Sequence, residues 1–357
     1  MSNEVEQVAI EQWGDEEEDV IPFQYAITSY GADYPVESLV KRMRSGDIFI
    51  PHFQRAYVWN LADASRFVET LLLGLPVPGI FLSKEYESQK LLVIDGQQRL
   101  STLQYFYDGV FEPTNLVFAL RGVQEQFKGL TYKSLPEEDR RRLDDSIIHL
   151  TIVKQDEPSD DDSSIYHIFE RLNTTGRILL AQEIRACLYH GDFNELLSQL
   201  NQDKAWRSIF GRVNRRMRDQ ELILRFFALH FYGDSYEKPM KGFLNKYMKQ
   251  NRHLELQSAD QLTQSFVPTI QVIYDSVGRT AFKPKRALNA AVFDAVMIGV
   301  ARRLERDGVE DYGSLSEKYL ALLSNEDFIP PTQESTSDEE NVRRRIALAS
   351  DAFAEVK

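Results

Sequence analysis

LLVIDGQQRLSTLQYF, from Leu91 to Phe106, decides how the rest of the chain is read. Leu91 to Ile94 is an apolar, partly β-branched run that predicts a buried strand, and Asp95-Gly96 breaks it. A helix is expected at once. Leu100, Leu103 and Phe106 or Tyr107 recur at helical spacing, while Gln97, Arg99 and Gln104 take the other side.

A strand, a tight turn and a helix N-terminus leave the first backbone N–H groups of the helix without intrahelical acceptors. Together with the helix dipole they make a site for a phosphate or carboxylate. A structural reading stands beside it: Asp95-Gly96-Gln97-Gln98 also fits a capping box, with Asp95 as N-cap and Gln98 reaching back. Arg99 speaks against a mere cap. A cation in the first turn is disfavoured by roughly 0.3–1 kcal/mol, and an anion in front of it would explain its presence.

Composition sets wider bounds. With 357 residues, 43% of them hydrophobic and 27% charged, the chain can build two domains with real cores. No apolar run is long enough to cross a membrane, and the acidic N-terminus has no signal-like core, so a cytoplasmic protein is expected. One cysteine, Cys187, excludes an internal disulfide and is read as a buried or half-buried helix residue.

The net charge of −13 speaks against nucleic acid, but it is unevenly placed. Eight acidic side chains stand in residues 1–19 with no basic one, and residues 1–20 are read as a disordered tail or interaction arm. Arg207, Arg212, Arg215, Arg216 and Arg218, with Lys204, lie between Asp203 and Asp219 without an intervening acid. They are the candidate surface for DNA or a protein partner; a solvated helical face is the alternative.

Before the central motif the sequence predicts a helix from Pro35 to Met43, a strand from Ile48 to Ile50, a helix from Ala62 to Leu73 and a strand at GIFLS. After it come two strand-like runs, NLVFAL and IIHLTIV, and then helical patterns to the end. The fold class is therefore α+β, with an α/β domain over residues 21–155 and an all-α domain over 163–357. Two further loops draw notice. Gln54 and Arg55 lie beside Phe53, Tyr57 and Trp59, which either wall a pocket for a planar ring or belong to the core. Asn173-Thr174-Thr175-Gly176 separates two helices, either to meet a ligand or as an ordinary helix C-cap.

Taken together, FQRAYVW, VIDGQQRLSTL and ERLNTTGRILLAQEIR resemble the N-terminal domain of the GmrSD-type restriction enzymes, the family marked by a DGQQR signature. The likeness covers roughly residues 34–185. It implies a core similar to the ParB and sulfiredoxin fold and nucleoside triphosphate binding and hydrolysis in antiviral defence, with ATP, GTP or CTP and Mg²⁺ as the ligands.

Carried over, Asp95, Gln97, Gln98 and Arg99 are the expected catalytic set, with Asp95 also the metal ligand. Gln54, Arg55, Gly96, Ser101, Asn173 and Gly176 are the expected nucleotide-binding residues. Longer members add an HNH nuclease domain. Here the six histidines are scattered, no pair has H-x-x-x-H spacing and none follows His253, so a stand-alone member is expected. Cleavage would then fall to a separate effector protein or to the DGQQR domain acting on DNA itself; a non-catalytic adaptor and a homo-oligomer complete the possibilities.

Overall fold

A computed structural model describes residues 26–50, 57–85, 88–157, 163–172 and 179–357. The chain divides into two compact units, Phe23–Leu179 and Leu180–Lys357.

The first unit is built on a five-stranded mixed sheet. Its strands are β1 (Ala26–Pro35), β2 (Ile48–Phe49), β3 (Ile80–Lys84), β4 (Leu91–Asp95) and β7 (Ile147–Glu157), in the order β1-β7-β3-β4-β2. A small hairpin of β5 (Val110–Phe111) and β6 (Leu116–Val117) stands apart from this sheet. Helices α1 (Val36–Arg44), α2 (Leu61–Leu72), α3 (Gln97–Asp108) and α4 (Glu137–Asp144) contribute to one hydrophobic core. Leu39, Phe67, Leu71, Leu100, Leu103 and Phe106 pack there with Ile80, Leu82, Leu91, Val93, Leu150 and Ile152 of the sheet. The start of α2 is fixed by Asn60, whose side-chain oxygen accepts the N–H groups of Ala62 at 2.9 Å and Asp63 at 3.0 Å.

Leu92, Ile94 and Val153 lie outside that core cluster and are nevertheless buried. Helix α5 (Ser163–Leu172) packs against β4 and β7 and belongs to this first unit. A strand buried on both faces reads as a continuous apolar run, which is why Leu91 to Ile94 shows no alternation.

The structure adds an element absent from the sequence reading. The sequence predicts regular structure only from Pro35, whereas β1 pairs antiparallel with β7 along its whole length, from Ala26 opposite Glu157 to Pro35 opposite Ile147. Its sequence, AITSYGADYP, has no apolar run because it is an edge strand held chiefly through its backbone. The run NLVFAL yields only the two-residue β6.

The second unit is helical: α6 (Ala181–Leu188), α7 (Asp192–Leu200), α8 (Lys204–Phe210), α9 (Arg218–Tyr232), α10 (Met240–Gln250), α11 (Ala259–Val277), α12 (Ala290–Leu304), α13 (Tyr312–Leu323), α14 (Pro330–Gln333) and α15 (Glu339–Ala354). Cys187 is buried in α6. Its core holds a charged knot: Asp294 on α12 accepts from Arg225 of α9 at 2.5 and 3.1 Å and from Arg345 of α15 at 3.0 Å. Arg345 also donates to the carbonyls of Pro331 and Thr336, which offset the surplus positive charge. Among the described residues no helix is long and apolar enough to cross a membrane.

Candidate functional site

The central stretch folds as strand, turn and helix, and one irregularity determines where its aspartate goes. In the antiparallel pair of β3 and β4, Leu82 lies opposite Val93 but Phe81 lies opposite Asp95, so β4 carries one extra residue. Opposed residues share a face, and such a bulge reverses the alternation. Val93 joins the helical core with Leu82, whereas Asp95 emerges with Phe81 on the opposite face, its side chain 47% exposed. The next residue, Gly96, takes φ 106° and N-caps α3 with no side-chain cap. A Cβ there would stand 2.8 Å from Cγ1 of Ile80, so both the backbone angle and the close approach require glycine.

Leu100 is bonded through its N–H to the Gly96 carbonyl at 3.0 Å, the first backbone bond that closes the helix. The capping box does not form, because Asp95 ends the strand and Gln98 is used elsewhere. The Gln98 Oε1 accepts the N–H groups of Val58 at 2.9 Å and Trp59 at 3.3 Å. Nearby, the Tyr57 hydroxyl shares a hydrogen bond of 2.7 Å with Thr102 Oγ1, and burial pushes that hydroxyl up to about 12. Tyr57 stacks edge-on against Tyr105 and Phe111, and Trp59 tilts against Phe67. These two aromatics are therefore core residues, and Gln98 fastens the segment that follows Gln54 and Arg55 in the chain.

Arg99 is turned inward, its side chain only 11% exposed. Its Nη1 donates to the carbonyls of Pro78 at 2.7 Å and Gly79 at 2.9 Å, and its Nη2 to Asp95 Oδ2 at 2.7 Å. The dipole penalty of a first-turn cation is thus answered from within the protein, by a carboxylate and two carbonyls. Ser101 is buried, and its hydroxyl meets Tyr105, partly opposing the burial that raises the Tyr105 pKa. Gln97 is half-buried at the helix start. Gln54, Arg55, Asn173 and Gly176, like Phe53, lie outside the described residues.

A pair absent from the sequence reading stands on the face to which Asp95 is turned. His149 Nδ1 lies 2.8 Å from Asp33 Oδ1, with the two side chains 59% and 67% exposed. The imidazole rests over Gly31, where a Cβ would be 2.7 Å from its Cε1. Gly79 flanks it on the other side, just before β3, where a Cβ would be 3.1 Å from the His149 carbonyl oxygen and 3.7 Å from Cδ2.

The basic set of the helical unit divides. Helix α8 ends at Phe210, and residues 211–217 form an irregular connection rather than a continuous basic helix. Arg207 points inward to the fully buried Asp219 at 2.9 Å and to Asn201 at 2.8 Å, and burial lowers its pKa despite that partner. Arg216 pairs with Glu183 at 2.8 Å. Arg218 is half-buried at the start of α9, whereas Arg212 and Arg215 are exposed on the connection. The connection is held by Asp219, whose Oδ2 also accepts the Asn214 N–H at 3.0 Å.

The first unit is thus an α+β domain organised around a strand–glycine–helix turn. Residues 36–190 match the family described as "GmrSD restriction endonuclease, N-terminal domain", and this segment is a domain of that family. The chain is also similar to the uncharacterized protein MJ0686 of Methanocaldococcus jannaschii, with 26% identity over 138 residues. That match covers 32% of this chain and spans 22% of the length of the relative.

Proposed function

We propose that the sheet unit binds a nucleoside triphosphate at the start of α3 and hydrolyses it, as part of a restriction or anti-phage system that senses or acts on DNA. The family match supports the setting. The observation that carries the nucleotide reading is Gly96, whose positive φ and contact with Ile80 place the positive end of α3 beside an outward carboxylate.

Phosphoryl transfer needs positioning and charge neutralisation more than covalent chemistry. Asp95 gives Oδ2 to Arg99, and its Oδ1 has no partner among the described residues. No group of three or more His, Cys, Asp or Glu gathers among the described residues, but Mg²⁺ commonly takes one or two carboxylates and fills its shell with phosphate oxygens and water. Asp95 fits that use. A bound Mg²⁺ would neutralise charge on the phosphates, while Gln97 orients the attacking water and the backbone at residues 96–98 holds phosphate oxygens. Arg99 and Gln98 act by holding the turn: Arg99 fixes Asp95 against the start of β3, and Gln98 fixes the segment after Arg55.

The inward use of Arg99 and Gln98 also favours a second reading, in which the turn is a structural latch and the chain an adaptor for a separate effector protein. Phosphate release from ATP, GTP and CTP with Mg²⁺, with and without DNA, separates the two. Turnover that disappears in Asp95→Ala supports the hydrolase. A folded wild type without turnover on any nucleotide supports the adaptor, and plasmid cleavage by the chain alone would instead point to a nuclease.

A further inference from the structure

We infer that His149, oriented by Asp33, is the general base of the same site; this rests on the hydrolase reading. The pair lies in line with the central motif. In the parallel ladder of β3 and β7, Ile80 stands opposite Leu150, which puts His149 beside Gly79. The Gly79 carbonyl accepts from Arg99, and Arg99 holds Asp95. Asp33, His149, Gly79, Arg99 and Asp95 thus follow one another across one end of the sheet. Strands β7 and β4 flank β3, so they are about 10 Å apart, a span comparable with a triphosphate chain.

The geometry also sets the tautomer. With Nδ1–H donated to the Asp33 carboxylate, the lone pair of the ring is on Nε2, which has no partner among the described residues. Fold stability does not explain the arrangement. An exposed pair of this kind adds little to stability, and Gly31, within β1, costs backbone entropy that a larger residue would spare. Gly31 and Gly79 instead make a floor that lets the ring lie against the sheet with its outer edge open.

In the reaction, Nε2 takes a proton from water as the water oxygen attacks the γ-phosphorus. The bond from that phosphorus to the bridging oxygen breaks, the nucleoside diphosphate leaves with the electron pair, and Nε2 returns the proton to bulk water. Asp33 stabilises the transient imidazolium.

The test uses the full chain, with fluorescent ATP, GTP and CTP derivatives for binding and phosphate release for turnover. His149→Ala should keep nucleotide affinity and lose roughly 10²- to 10⁴-fold in turnover. Added imidazole, admitted to the space over the two glycines, should restore part of it, a response that a structural role would not give. His149→Gln should keep the fold and stay slow, and Asp33→Asn should be impaired without imidazole rescue. Wild-type turnover in His149→Ala, or parallel loss of affinity without rescue, overturns the inference and leaves the hydrolase reading intact. A wild type that neither binds nor hydrolyses these nucleotides overturns both.

Discussion

Gly96 and Ile80 approach so closely that a single methyl group on the glycine would stand 2.8 Å from the isoleucine Cγ1. The contact joins the start of α3 to the start of β3. Gly109, at the other end of α3, shares the positive φ, 80°, but a Cβ there meets nothing within 4 Å. The two glycines therefore separate backbone strain from steric exclusion.

Gly109→Ala should cost about 1–2 kcal/mol, the left-handed penalty alone. Gly96→Ala should add about 1–3 kcal/mol of overpacking. Native-state amide exchange in β4 and α3 would measure both, and equal effects would show that the Ile80 contact yields freely.

Gln98→Leu removes the acceptor shared by two backbone N–H groups. The amides of Val58 and Trp59 should exchange faster, by an amount equivalent to about 1–3 kcal/mol of local opening, while the core of α3 stays protected. Gln98→Glu keeps an acceptor and should restore protection; if both variants exchange like wild type, Gln98 does not hold this segment.

Among the basic residues, Arg212 and Arg215 are the ones whose charge should matter for DNA. Reversing both to Glu should leave the melting temperature unchanged and flatten the salt dependence of DNA binding by roughly one unit of slope per side chain. Arg207→Ala should behave oppositely, losing about 2–4 kcal/mol because Asp219 stays buried with only neutral donors. DNA binding indifferent to the double reversal would remove this connection from consideration.

His230 gives the helical unit a pH dependence. Its ring is buried against Phe226 and within 2.8 Å of Glu305, and burial lowers its pKa below 6.5 more than Glu305 raises it. The unfolded chain then binds a proton that the folded one refuses, so this contribution is present above pH 6.5 and is lost as pH falls through the folded value. Melting temperatures from pH 7.5 to 5 should fall more steeply for wild type than for His230→Gln. Parallel curves would count against a buried neutral imidazole.

The strand–turn–helix was legible because an apolar run, Asp-Gly and a helical period follow one another within sixteen residues. The partners of Arg99 were not. Two are backbone carbonyls of Pro78 and Gly79, which carry no side-chain signature and lie about twenty positions upstream. The bulge was hidden since its extra residue falls in a stretch as apolar as its neighbours. His149 stands out as the polar residue within IIHLTIV, but Asp33 is 116 positions away on a strand whose pattern is too weak to predict.

The bulge in β4 makes the placement of Asp95 a matter of parity. A pleated strand has only two phases, so without the bulge Asp95 would share the face of Val93, whatever the identity of the residues between. Every apolar side chain from Leu91 to Ile94 could be exchanged for another of similar size without moving Asp95 to the far side. Straightening the strand at constant length would turn the carboxylate toward α1–α4 and bury an anion among hydrocarbon, whereas deleting Ile94 would leave the aspartate opposite Phe81 with no bulge needed. The bulge, more than the composition of this short strand, keeps the motif facing outward.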